Sequence, residues 1–158
     1  MRASDETELL ACIPSLRRYA RGLTGDPHRA DDLVQDTLER AWRRFGLWQR
    51  RGELRAWLFG IMHNQFVDRL RARHSRPEAD AGSDPPDAEV RATQADRLEV
   101  RDLDRLLARL PPDLRAVLLL VGVEELSYRE AAAVMGVPIG TVMSRLSRAR
   151  ERLAALMQ

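Results

Sequence analysis

Apolar positions recur at spacings of three and four along most of this chain, the period of an α-helix with one buried side. "DETELLAC", Asp5 to Cys12, reads as a short first helix. Pro14 is expected to break or restart it, most comfortably from the first turn of a second helix. That helix sets Leu16, Tyr19, Ala20 and Leu23 on one side. "TGDP" is a turn, with Asp26 as N-cap and Pro27 at the first helical position. A long helix then runs to about Phe45, with Leu33, Val34, Leu38, Ala41 and Trp42 as its expected buried positions. "GLWQRRG" reads as a loop. A further helix from about Glu53 to Arg73 carries Leu54, Trp57, Leu58, Ile61, Met62, Phe66 and Leu70 at helical spacing.

The pattern then lapses. "HSRPEADAGSDPPDAEV", His74 to Val90, holds three prolines and many acids but few apolar groups. Such a stretch cannot bury enough surface to fold alone, and it reads as a flexible linker. Helical spacing returns from about Glu89 to Leu110, stops at "PP", and returns from about Asp113 to Val121. Ser127 and Glu130 have the spacing of a capping box for "YREAAAVM". Gly136 ends that short helix, and Pro138 opens a last one reaching about Leu156. On a helical wheel, Leu146, Ala149 and Leu153 fall within about 40° of Val142. Ser144, Ser147, Arg148 and Glu151 occupy the opposite side, with Thr141, Arg145, Arg150 and Arg152 on its shoulders. One face is thus suited to packing and the other to short hydroxyls and forked cations. A short alanine-rich helix, a glycine turn and a second helix with arginines outward is the helix-turn-helix pattern of DNA-binding proteins.

The expected fold is all-α: two small helical domains joined by a flexible linker, the C-terminal one a helix-turn-helix. The boundaries are 5–75, 76–92 and 93–158. Low aromatic content, 5%, and little β-branched clustering argue against a sheet-rich alternative.

Charge sharpens the division. The 158 residues carry a net charge of only +2, but it is unevenly placed. Residues 1–75 hold 14 Arg against 10 acids, residues 76–100 hold 3 against 7, and residues 101–158 hold 9 against 7. All 26 basic residues are arginine, the better fork for phosphate and guanine edges, although a GC-rich genome explains that choice sufficiently. No apolar run approaches the ~20 residues of a membrane span. "MRASDETELL" is acidic and does not read as a signal peptide. The single cysteine, Cys12, cannot close an internal disulfide, so a cytoplasmic setting is expected.

"DDLVQDTLERAWRRF" followed by "LRAWLFGIMHNQFVDRLR" resembles region 2 of bacterial sigma factors. "LPPDLRAVLLLVGVEELSYREAAAVMGVPIGTVMSRLSRARERL" resembles their region 4. With only these two regions and a short connector, the chain resembles the extracytoplasmic-function group of the sigma-70 family. The resemblance implies a protein that joins core RNA polymerase, recognises the −35 and −10 promoter elements and helps melt the DNA, without being an enzyme or needing a cofactor or metal. It implies docking of Asp32, Gln35, Asp36 and Leu38 on the polymerase β′ coiled coil. The net charge of −4 over residues 26–39 suits a basic protein partner. Residues 50–76 carry +5, and the resemblance gives them the −10 element. Unstacked bases need stacking surfaces, polar edges and nearby cations, offered here by Trp48, Asn64, Arg69, Arg71 and Arg73. Trp57 and His63 are read as packing residues. In region 4 the resemblance implies base contacts from Ser144, Ser147 and Arg148 and phosphate contacts from Thr141, Arg145 and Arg150. Met143 stands where the family usually has a basic residue. Leu118 to Val121 are read as core, with docking on the polymerase β flap their other role. An anti-sigma factor covering both lobes is a further implied partner.

Two other readings compete. A stand-alone helix-turn-helix regulator would use the first lobe for sensing or dimerisation. A metal-dependent bundle would use His28, Asp31, Asp32, Asp36 and Glu39, but the chain lacks the paired Glu-x-x-His motif of di-metal bundles. It also lacks a phosphate loop and a nucleophile elbow.

Overall fold

Pro14 does not divide the first helix. In the computed structural model, which describes residues 2–48, 53–75 and 102–158, α1 runs unbroken over Ala3–Thr24 with Pro14 inside it. An interior proline costs a helix about 3 kcal/mol. Leu9 on one side of it and Leu16, Tyr19 and Leu23 on the other enter the same core, and their shared burial opposes that cost. Gly25 ends α1 at φ 69°, and its N–H donates to the Arg21 carbonyl. The left-handed geometry suits a residue without a Cβ.

α2 spans Pro27–Trp48, three residues past the expected end, so Trp48 closes a helix instead of lying in a loop. The N-cap expectation holds: the Asp26 carboxylate accepts from the His28 N–H at 3.0 Å. Ala30, Leu33, Val34, Thr37 and Ala41 are buried. Trp42 is 59% exposed, against expectation. It lies nine residues after Leu33, about 180° away on the wheel, so no rotation of α2 could bury both against one neighbour. α3 spans Leu54–Ser75 and buries Leu58, Phe59, Met62 and Phe66. The first three helices pack on one another, with Tyr19 meeting Phe59 edge-on at 5.1 Å between ring centroids.

The expected linker, 76–92, lies outside the described residues, as does the start of the helix expected from Glu89. Residues 102–108, here α4, are helical. α5 covers Pro112–Val117 and then widens into a π-helical turn over Leu118–Val123, where an ordinary helix was expected. Capped by the expected Ser127–Glu130 box, with Glu130 N–H to Ser127 Oγ at 3.1 Å and Ser127 N–H to Glu130 Oε1 at 2.9 Å, α6 spans Tyr128–Met135. Gly136 turns the chain at φ 67°. Pro138 is the residue before the first turn of α7, Ile139–Leu156. Among the described residues there is no strand.

The two lobes are not held apart. α6 packs on α3, and α5 and the π turn pack on α1, so the buried apolar residues of both lobes form one cluster.

Candidate nucleic-acid interface

α7 carries the clearest functional surface. Val142, Leu146 and Ala149 are buried, while Ser144, Ser147, Arg148 and Arg150 are exposed. α6 and α5 receive the apolar stripe. Its alanines make this approach close: Ala131 and Ala132 are buried with no side chain beyond Cβ. The Ser144 hydroxyl donates to the Thr141 carbonyl at 3.1 Å, so both lone pairs of Oγ stay available to an incoming donor. Among the described residues no carboxylate pairs with Arg148 or Arg150. These guanidiniums are therefore disposed towards an external acceptor. Met143 is 53% exposed on the same side. Arg145 differs: it is half-buried, lies 3.8 Å from Asp113 and points towards His63 of the first lobe.

His63 is buried and 3.2 Å from the Tyr19 hydroxyl, in keeping with a packing role. Burial, helped by the positive charge of Arg145, lowers its pKa to about 4. The imidazole is therefore neutral at pH 7. Burial raises the Tyr19 hydroxyl well above its usual range.

The residues expected at the −10 element are dispersed over α3. Asn64 and Arg71 are exposed, and Arg69 and Arg73 are half-buried. Arg69 is ion-paired with Asp36 of α2, which joins a residue expected to touch DNA to one expected to touch polymerase. Arg69 and Arg73 also share a cavity of about 330 Å³ with Arg29 and Arg115. Asn64 lines a larger cleft between α3 and α6, about 680 Å³, with Trp57, Arg44 and Arg129. Trp48 does not project outward. It is buried beside Phe45 and Trp57, with ring centroids 5.4 and 6.3 Å away, and its indole N–H has no hydrogen-bond partner among the described residues.

On α2, Asp32 and Gln35 are exposed, and Asp36 and Leu38 are half-buried. Exposed Trp42 lies seven residues after Gln35 and four after Leu38, on the same face. The hydrophobic pattern had hidden it, since a tryptophan among apolar positions reads as core. The acidic run of α2 does not assemble a metal centre: among the described residues no three His, Cys, Asp or Glu side chains converge. Among them, too, no helix is long and apolar enough to cross a membrane.

A helix-turn-helix with a cationic, hydroxylated outer face is the signature of a DNA-binding protein. Comparison with known proteins agrees for both lobes. The family model "Sigma2 domain of PhyR" matches residues 9–63, and "Sigma-70, region 4" matches residues 101–153. The ECF RNA polymerase sigma factor EcfG of Rhodopseudomonas palustris is 41% identical over 150 residues, 95% of this chain and 83% of its own length. Among solved structures, the sigma factor RpoE of Bartonella quintana, in complex with the anti-sigma factor NepR, superposes with a TM-score of 0.87 at 36% identity, covering 99% of this chain and 98% of that one. CnrH, in complex with the cytosolic domain of CnrY, gives 0.68 at 31% identity, covering 90% and 80%. The chain belongs to the extracytoplasmic-function RNA polymerase sigma factors. A stand-alone regulator is not favoured, because the matches include the first lobe as well as the helix-turn-helix.

Proposed function

We propose that this sigma factor divides its work between separate surfaces. The α2 face of Asp32, Gln35, Asp36 and Leu38, extended by exposed Trp42, docks on the β′ coiled coil of core RNA polymerase. Tryptophan is among the side chains most enriched at binding hot spots, and Trp42 is 59% exposed beside Gln35 and Leu38. The outward face of α7 enters the major groove of the −35 element. Ser144, Ser147 and Arg148 meet base edges, while Thr141, Arg145 and Arg150 approach phosphates. α3, through Asn64, Arg69, Arg71 and Arg73, engages the −10 element and favours local melting by holding unstacked bases. Trp48 could stack on a base only after leaving the Phe45–Trp57 cluster. The domains follow as 5–75 for polymerase and −10 contacts, 76–92 as connector and 93–158 for −35 contacts. The protein binds and positions and does no chemistry itself; it works in the cytoplasm, where the polymerase is.

One observation carries this reading: Arg148 and its neighbouring serines stand in solvent opposite Val142, Leu146 and Ala149, which are buried on the same helix. The complexes of RpoE with NepR and of CnrH with CnrY support an anti-sigma protein as a further partner. Run-off transcription with purified core polymerase tests the proposal. Added protein should bind core and direct initiation from promoters with suitable −35 and −10 elements. DNA binding with no affinity for core would instead return the chain to the regulator class.

A further inference from the structure

Three observations fall on the seam between the lobes. First, Glu124, in the second lobe, is 2% exposed and holds two arginines of the first. Arg18 of α1 grips both carboxylate oxygens, with Nε to Oε1 at 2.7 Å and Nη2 to Oε2 at 2.8 Å. Arg55 of α3 donates from Nη2 to Oε2 at 2.8 Å and to the Glu124 carbonyl at 2.7 Å. Second, Gly22 of α1 lets the π turn come close: a Cβ there would lie 2.7 Å from both δ-carbons of Leu119. Third, Glu124 sits where the backbone departs from helical convention. The π turn ends at it, and Glu125 follows at φ 60°, a left-handed conformation that costs a non-glycine residue about 1–3 kcal/mol. π turns and such strained residues concentrate where function requires them.

We infer that Glu124, clasped by Arg18 and Arg55 and seated by the Gly22–Leu119 contact, is a latch that holds the free protein in a closed, inhibited form. The inference rests on the sigma-factor reading above. Elements centred about 25 base pairs apart are separated by roughly 85 Å of B-form DNA at ~3.4 Å per pair. A compact chain of this length has a radius of gyration of only about 15 Å. The packed lobes cannot reach both elements together, so promoter engagement requires the seam to part. Closure also places Leu119 against α1, within the Leu118–Val121 segment otherwise available to the polymerase flap. Opening exposes Glu124, Arg18 and Arg55 to water, which solvates all three. The latch can therefore be released without leaving a buried charge.

Two full-length variants test it by independent routes. Glu124→Gln keeps the shape and removes the charge. Gly22→Leu wedges the contact with no change of charge, and at its own position in α1 leucine favours helix more than glycine does. For each variant, circular dichroism reads helix content, small-angle X-ray scattering reads compactness, and titration reads affinity for core polymerase. The expected result is unchanged helix content, a larger radius of gyration and core binding tightened up to about tenfold, as the competent fraction rises. Wild-type compactness in both variants with helix content retained overturns the latch, as does expansion without tighter binding. Failure of the wild type to bind core overturns the sigma-factor reading and the inhibitory role with it, whereas scattering reads the closure by itself.

Discussion

The arginines of α7 and those of the inter-lobe seam have the same side chain and opposite circumstances. Arg148 and Arg150 stand in solvent without a carboxylate among the described residues, so a nucleic acid can claim them. Arg115 is half-buried, with Nε on the Leu107 carbonyl at 2.8 Å, Nη1 on Leu23 at 2.5 Å and Nη2 on Leu110 at 2.9 Å. Those acceptors come from both lobes, and desolvation lowers its pKa. Arg145 is intermediate, on the shoulder of α7 but turned towards Asp113 and His63. The lesson is that an arginine's role depends on what has already satisfied its five donors. Sequence position on a helix face settles this only when the neighbours are known.

Arg115 separates the two kinds of arginine most sharply. Arg115→Ala strands several carbonyls at the seam, and each unsatisfied group costs about 1–3 kcal/mol. We expect a loss of roughly 3 kcal/mol in urea unfolding, with intact −35 binding by the protein that remains folded. A loss below about 1 kcal/mol would show the guanidinium to be dispensable, like those of α7.

His63 gives the next effect. Its folded pKa lies near 4, below the ordinary value of 6.5, so the unfolded chain takes up the proton first as pH falls. Stability is fully present above about pH 6.5, declines as pH drops towards 4 and levels off below that. The difference is at most about 3 kcal/mol. Thermal melts across this window should show the decline for the wild type and a flatter profile for His63→Gln. Arg145→Ala should raise the pH at which the decline levels off only slightly, since burial is the larger cause.

Ser127→Ala removes a helix cap and should cost about 1 kcal/mol of stability. It frees the start of α6 without touching any α7 arginine, so it separates loss of scaffold from loss of contact. The smallest stability effect belongs to Arg150→Ala, within about 0.5 kcal/mol. Its signature is a fall of about one in the salt-dependence slope of DNA binding.

Much of this was legible beforehand. The apolar period located α2, α3, α6 and α7, and the wheel separated the buried and exposed faces of α7, because both features are local to one helix. Pro14 misled because the propensity of one residue was outweighed by core contacts on both sides of it. Trp42 misled through its chemistry, although the wheel places it opposite Leu33. The seam was illegible for a deeper reason. In "VEELS", Glu124 looks like any surface acid, and its partners Arg18 and Arg55 are 106 and 69 residues away. No periodicity encodes a long-range ion pair, nor the glycine at position 22 that brings the helices together.

In the proposed arrangement the outer face of α7 reads DNA while other surfaces hold the polymerase. Its most direct test is in-vitro transcription from a library randomised at both promoter elements, comparing wild type with Arg148→Ala at matched core occupancy. The variant should lose base discrimination at the −35 element, by about 1–3 kcal/mol at one position, and keep its −10 preference and core affinity. An unchanged −35 preference would contradict the account.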